Sequence, residues 1–291
     1  MLGELLAIVA PVYLCAALGF GWVRLGRRYD TELVTDLIMN VGAPCLVFSS
    51  LVAVSLDGEA LTEMLGATLL ALVAFAAIGA LVLRLAGLRH DTYLGPMMYM
   101  NAGNMGLPVC LFAFGEVGLA LGVVFFATVT ITHFTFGQWV WSGTASPGFL
   151  LRQPLAYSAA AAAAVLASGV AVPGWLIDTT RLLGGFTIPL MQLTLGVSLA
   201  ELSLGRIPRG LALSLMRIGM GVVVGAGVAA LLGLEGVARG VFIIDCAMPV
   251  AVFNYMMAQR HGRSPSEVAG LVMLSTLLSF VTVPLLLAWL L

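Results

Sequence analysis

The chain has 291 residues, of which 61% are hydrophobic and 9% charged, against the roughly 25% charged of an ordinary soluble domain. Its 13 basic residues are all arginine and, with 14 acidic ones, leave a net charge of -1; this excludes a basic nucleic-acid surface, and the lack of lysine excludes Schiff-base chemistry and the phosphate loop that ends in Gly-Lys. At roughly 20 apolar residues per bilayer crossing, ten spans use about 200 residues and leave no room for a large soluble domain.

The first apolar stretch runs from about Leu5 to Val23. Met1-Leu2-Gly3-Glu4 before it lacks the positive charge of a secretory signal, so the stretch is expected to stay in the protein. The second covers about Leu33 to Val54, the third Leu61 to Leu83, the fourth Tyr93 to Phe114 and the fifth Val117 to Val140. A loop around Pro147 and Arg152 follows, and then come Leu155 to Val172, Leu182 to Leu199, Leu211 to Leu232, Val237 to Met257 and Val268 to Leu290. Cys15, Cys45, Cys110 and Cys246 each fall in an apolar run without CxxC or Cys/His spacing, so they read as small buried residues rather than disulfides or metal ligands.

Arginines collect in alternate loops. Arg24, Arg27, Arg28, Arg84, Arg89, Arg152, Arg206, Arg209, Arg260 and Arg263 lie on one side, and Arg181 and Arg239 on the other with Glu4, Asp57, Glu59, Glu63, Glu116, Asp178 and Glu235. The positive-inside rule then places both termini outside a plasma membrane, the inner membrane of a bacterium. Five spans followed by five start the second half on the opposite face, which is the arrangement of inverted repeats. Proline positions agree: Pro11 with Pro154, Pro44 with Pro189 and Pro108 with Pro249 are offset by 143, 145 and 141 residues, and the last offset carries Asn104 onto Asp245. The expected repeats are residues 1–142 and 153–291.

Span four contains Asn101-Ala-Gly103-Asn104-Met-Gly106-Leu-Pro108, and span nine Asp245-Cys-Ala-Met-Pro249-Val-Ala-Val-Phe-Asn254. Amides, glycines and proline remove a backbone donor and weaken the helix where hydrocarbon cannot replace the lost bonds. Corresponding interruptions in the two halves predict discontinuous helices meeting at a midplane site, with half-helices starting near Pro108 and Pro249. Their N-termini suit a carboxylate, and the carbonyl ends with Asn101, Asn104 and Asp245 could instead hold a cation or proton. Asp245 is the expected site of a coupling proton or sodium ion; no other cofactor and no metal site is expected. Asn40 before Pro44 and Gln192 after Pro189 are candidates for facing the same cavity.

His133, among Thr128, Thr130, Thr132 and Thr135, reads as a hydrogen-bonded packing residue rather than a proton relay. Arg217, two turns into span eight, is expected to snorkel toward the arginine-rich face. An intramembrane enzyme is disfavoured, because Asp245 is the one acid deep in a span and no HExxH or GxSxG motif occurs. A channel or a uniporter for small anions stays open.

The two motifs, with the Ala43-Pro44 turn, resemble the auxin efflux carrier family, which includes plant auxin carriers and bacterial carriers of malonate and other small acids. The resemblance extends over essentially the whole chain. It implies an all-α membrane protein similar to bile-acid symporters and sodium/proton antiporters, with spans 3–5 and 8–10 as a transport domain and spans 1, 2, 6 and 7 as a scaffold. It also implies that Asn101, Gly103, Asn104, Pro108, Pro249 and Asn254 lie where broken helices cross and touch a small organic anion, and that two copies pair through the scaffold. Only about Trp141 to Pro154 separates the halves, so the long loop of plant auxin carriers is missing.

Overall fold

A computed structural model describes residues 2–54, 58–143, 153–202 and 207–291, apart from the side chains of Leu2 and Glu4. Asp57, Pro147, Arg152 and Arg206, used above to read the loops, lie outside the described residues, as does the Glu4 side chain.

The described chain is helical: α1 (Leu2–Arg24), α2 (Thr31–Leu37), α3 (Ala43–Ala53), α4 (Gly58–Leu85), α5 (His90–Met98), α6 (Leu107–Thr132) and α7 (Gln138–Ser142) precede the mid-chain loop. After it come α8 (Pro154–Ser168), α9 (Gly174–Gly185), α10 (Thr187–Glu201), α11 (Ile207–Leu232), α12 (Gly236–Cys246), α13 (Val252–His261) and α14 (Pro265–Leu290). Wider π-helical turns at Ile38–Gly42, Ala102–Gly106 and His133–Gly137 lead into α3, α6 and α7.

Among the described residues, seven helical stretches are long and apolar enough to cross a membrane: Leu5–Arg24, Thr31–Ala53, Gly58–Leu85, Ala102–Ser142, Gly174–Glu201, Ile207–Leu232 and Pro265–Leu290. The difference from ten has local causes. Span six forms a helix of 15 residues, and span nine is divided into helices of 11 and 10 residues. The 41-residue stretch Ala102–Ser142 is interrupted at Gly115, whose φ of 65° and ψ of -155° break the helix where span four was expected to end and span five to begin. Only glycine adopts that backbone without strain.

The helices associate in two sets. α1 packs on α10, and α3 on α8 and α9; α4 packs on α5, α6 and α11, α12 on α6 and α11, and α14 on α11 and α13. In the first set small residues let backbones touch: a methyl at Gly196 would overlap the Ala16 carbonyl, and one at Gly19 the Leu193 carbonyl. The Ser158 hydroxyl of α8 donates to the Pro44 carbonyl of α3. Between the sets, Tyr13 of α1 donates its hydroxyl to the Ser279 carbonyl of α14 at 3.1 Å and packs on Phe280.

Cys110 and Cys246 are buried, as their apolar surroundings suggest, but Cys15 and Cys45 are only half-buried, because α1 and α3 turn part of their surface outward.

Candidate functional site: two broken helices beneath a cavity

The helix of span four stops at Met98 and restarts at Ala102, and that of span nine stops at Cys246 and restarts at Val252. Backbone groups released at each gap are satisfied by the other gap. Met100 and Val250 form an antiparallel β-bridge, the Asn101 N–H donates to the Pro249 carbonyl at 2.7 Å, and the Ala251 N–H to the Tyr99 carbonyl at 3.1 Å. Asn254 closes the crossing, its Nδ2 donating to the carbonyls of Tyr99 at 3.0 Å and Ala251 at 3.2 Å. Away from water, orphaned peptide groups are costly, so two gaps facing each other stabilise what neither could hold alone.

The restart in span four differs from the expected one. The helix begins at Ala102, six residues before Pro108, because the Asn101 side chain caps it: Oδ1 accepts the Asn104 N–H at 3.2 Å. Pro108 sits buried in the second turn of the helix that begins at Ala102, where it withholds one backbone donor from the preceding turn, and lies away from the opening. Pro249 stands in the gap itself and contributes its carbonyl.

Above the crossing is a cavity of about 490 Å³. Its floor is formed by Asn101 and Asn104 at the start of one helix and by Val252 and Phe253 at the start of the other. One wall is the face Met191, Thr194, Ser198, Glu201 and Leu202 of α10, another Thr31, Glu32, Thr35, Asp36 and Ile38 of the α2 segment, and a third Tyr255, Met256 and Gln259 of α13. Glu32, Glu201 and Gln259 are exposed and mark the mouth, and in sequence they lie close to Arg27 and Arg28, Arg209, and Arg260 and Arg263. A second space of about 20 Å³, the size of one water, lies behind the crossing and is lined by Gly103 together with Asn101, Asn104, His133 and Phe253.

The predicted site residues thus divide. Asn101 and Asn104 line the large cavity and Gly103 the small one. Gln192 is buried beside the floor, its Nε2 donating to the Asn104 carbonyl at 2.6 Å, and it is the α10 residue that grips the broken element. Asn254, Pro249 and Pro108 support the crossing from within. Asn40 does not join them: it is exposed on the turn Ile38–Gly42, while Ile38 and Asp36 of the same segment reach the cavity.

Asp245 is fully buried at the edge of the gap, as the penultimate residue of α12. Its Oδ2 accepts from Cys110 Sγ at 3.7 Å, and its Oδ1 rests against Gly106, where a Cβ would overlap it. Arg217 does not snorkel. Its side chain is 0% exposed, with Nη1 donating to the Cys246 carbonyl at 3.1 Å and the guanidinium 4.7 Å from the centre of the Phe75 ring. That carbonyl, near the end of α12, draws the cation inward. His133 is a packing residue, stacked parallel on Tyr99 at 4.0 Å, but its Nε2 is buried without a hydrogen-bond partner among the described residues.

Sequence reasoning missed the acidic and hydroxyl residues of the walls. The signal was present as helical spacing: Thr194, Ser198 and Glu201 recur at four and three residues along α10, a polar stripe in an otherwise apolar helix.

A family model described as "membrane transport protein" matches residues 142–287. An uncharacterized transporter of the archaeon Methanothermobacter thermautotrophicus is 23% identical over 295 residues, covering 97% of this chain and 95% of that protein. With two interrupted helices crossing under a cavity in an apolar helical bundle, these matches place the function in the membrane: the chain belongs to the membrane transport protein family, the auxin efflux carriers its motifs resemble, and is an integral multi-pass transporter.

Proposed function

We propose that the protein is a secondary transporter for a small organic acid, whose carboxylate is held at the crossing. The observation that carries this reading is the convergence of two helix N-termini, at Asn101–Asn104 and at Val252–Phe253, on the floor of one cavity. Helix N-termini offer free N–H groups and positive partial charge, so an anion can be held without a cationic side chain. In this reading ten spans form two inverted repeats, 1–142 and 153–291. Spans 1, 2, 6 and 7 act as a scaffold, and spans 3–5 and 8–10 move against it in an elevator-like exchange. The packing of the helices in two sets supports that division. The mouth adjoins the arginine-bearing loops, so this conformation faces inward with both termini outside.

Asp245 is our candidate for the coupling ion. Hard cations are held by several oxygens, whereas Asp245 meets a sulfur and glycine backbone. Such surroundings suit a proton better than sodium.

Reconstituted vesicles test the reading. A labelled small carboxylic acid should enter saturably and exchange against the same acid inside, and Asn101→Ala with Asn104→Ala should abolish exchange. Non-saturating current would instead indicate a channel, and chemical conversion of the acid would indicate an enzyme.

A further inference from the structure

The cavity is charged in a way that a simple acid does not explain. Glu32, Asp36 and Glu201 line it, and among the described residues no arginine or histidine does. None of the ion pairs among the described residues engages these three carboxylates. Two helix N-termini amount to about one positive charge in total, against about three negative charges on the walls. A plain carboxylate is therefore attracted at the floor and meets like charges on the walls.

The charges are also separated in depth. Glu201 at the mouth lies ten positions along α10 from Met191, the neighbour of Gln192 that holds the floor residue Asn104, about 15 Å of helix; Val252 to Gln259 in α13 spans about 10 Å. Glu201 stands at the C-terminal end of α10, where the helix dipole disfavours an acid. At the opposite end of the cavity Asn101, 4% exposed, has a side-chain Nδ2 without a partner among the described residues. Between the ends the walls are largely apolar, with Ile38, Met191, Phe253 and Met256.

We infer that the cargo is a bipolar molecule: a carboxylate joined through an apolar spacer to a cationic amine or guanidine that faces Glu32, Asp36 and Glu201. This rests on the carboxylate-at-the-floor reading above and adds the chemistry of the far end.

Three probes of one chain length separate the ends: hexanoate, 6-aminohexanoate and hexylamine. Titrated calorimetrically at low salt into the purified full-length protein, 6-aminohexanoate should bind roughly tenfold more tightly than hexanoate, as expected for an added charge pair. The exposed-residue variant Glu32→Gln/Asp36→Asn/Glu201→Gln should lose that preference and bind hexanoate more tightly than the unaltered protein does. Raising salt to about 0.5 M on the unaltered protein should shrink the preference without any substitution. Hexanoate binding as well as or better than 6-aminohexanoate would overturn the bipolar cargo and leave the carboxylate floor standing. Hexylamine binding most tightly, with both acids weak, would overturn the floor itself. Failure of all three to bind would overturn both.

Discussion

Gln192 of α10 donates its Nε2 to the carbonyl of Asn104 at 2.6 Å, so one side chain ties the two helix sets together at the cavity floor. Losing one such bond costs about 1 kcal/mol, roughly a fivefold change in a two-state balance. Gln192→Ala should therefore shift the balance between cavity-open and cavity-closed forms. The labelling rate of a cysteine placed at Thr194 in the cavity wall reads this directly, and an unchanged rate would show that the bond does not hold the conformation.

The fit between Gly106 and Asp245 is steric as well as chemical. Gly106→Ala places a methyl on Asp245 Oδ1, and overpacking of this kind costs about 1–3 kcal/mol. Asp245→Asn should not relieve it, since the amide is as large as the carboxyl. Asp245→Ala in the same chain should recover most of the thermal stability lost. A double-mutant cycle in detergent, followed by intrinsic fluorescence, measures the coupling.

Asn254 binds two carbonyls from opposite gaps. Asn254→Leu keeps the bulk and removes both bonds, which should lower stability by about 1–3 kcal/mol and reduce exchange of labelled acid. Asn254→Asp should behave similarly, because a carboxylate cannot donate.

At the arginine-rich face, the Arg89 guanidinium donates to Asp91 at 2.8 and 3.0 Å and holds that carboxyl below its ordinary range; Arg263 reaches the same group at 2.9 Å. A lowered folded-state value means the stabilisation is fully present above the unfolded value, near 4, and is lost as pH falls through the folded one. The melting temperature of Asp91→Asn should therefore lie below that of the unaltered protein at pH 7 and approach it near pH 3.

How far the sequence could be read is clearest at the two motifs. The interruptions were visible because Asn, Gly and Pro in hydrocarbon have no cheap structural alternative. That Asn101 would begin its helix six residues before Pro108 was not visible, since either residue type serves at a helix start and only the partner gap decides which peptide groups are already satisfied. Arg217 misled for a related reason. Its length allows it to reach the surface, and the choice of the Cys246 carbonyl and the Phe75 ring depends on helices far away in sequence. The acids of the cavity wall lie near span ends, where carboxylates are cheap, so their facing inward left no energetic signature in the sequence.

The glycines at positions 19 and 196 have a mechanical consequence. With carbonyl oxygens occupying the places of absent side chains, α1 and α10 are locked like two rails bolted along their length, and sliding one along the other would drive main-chain atoms into each other. Any working stroke must then be taken up between the two sets, where Tyr13 on Ser279 and Gln192 on Asn104 are among the bonds that cross. A bulky residue at either glycine should jam the frame without touching the cargo.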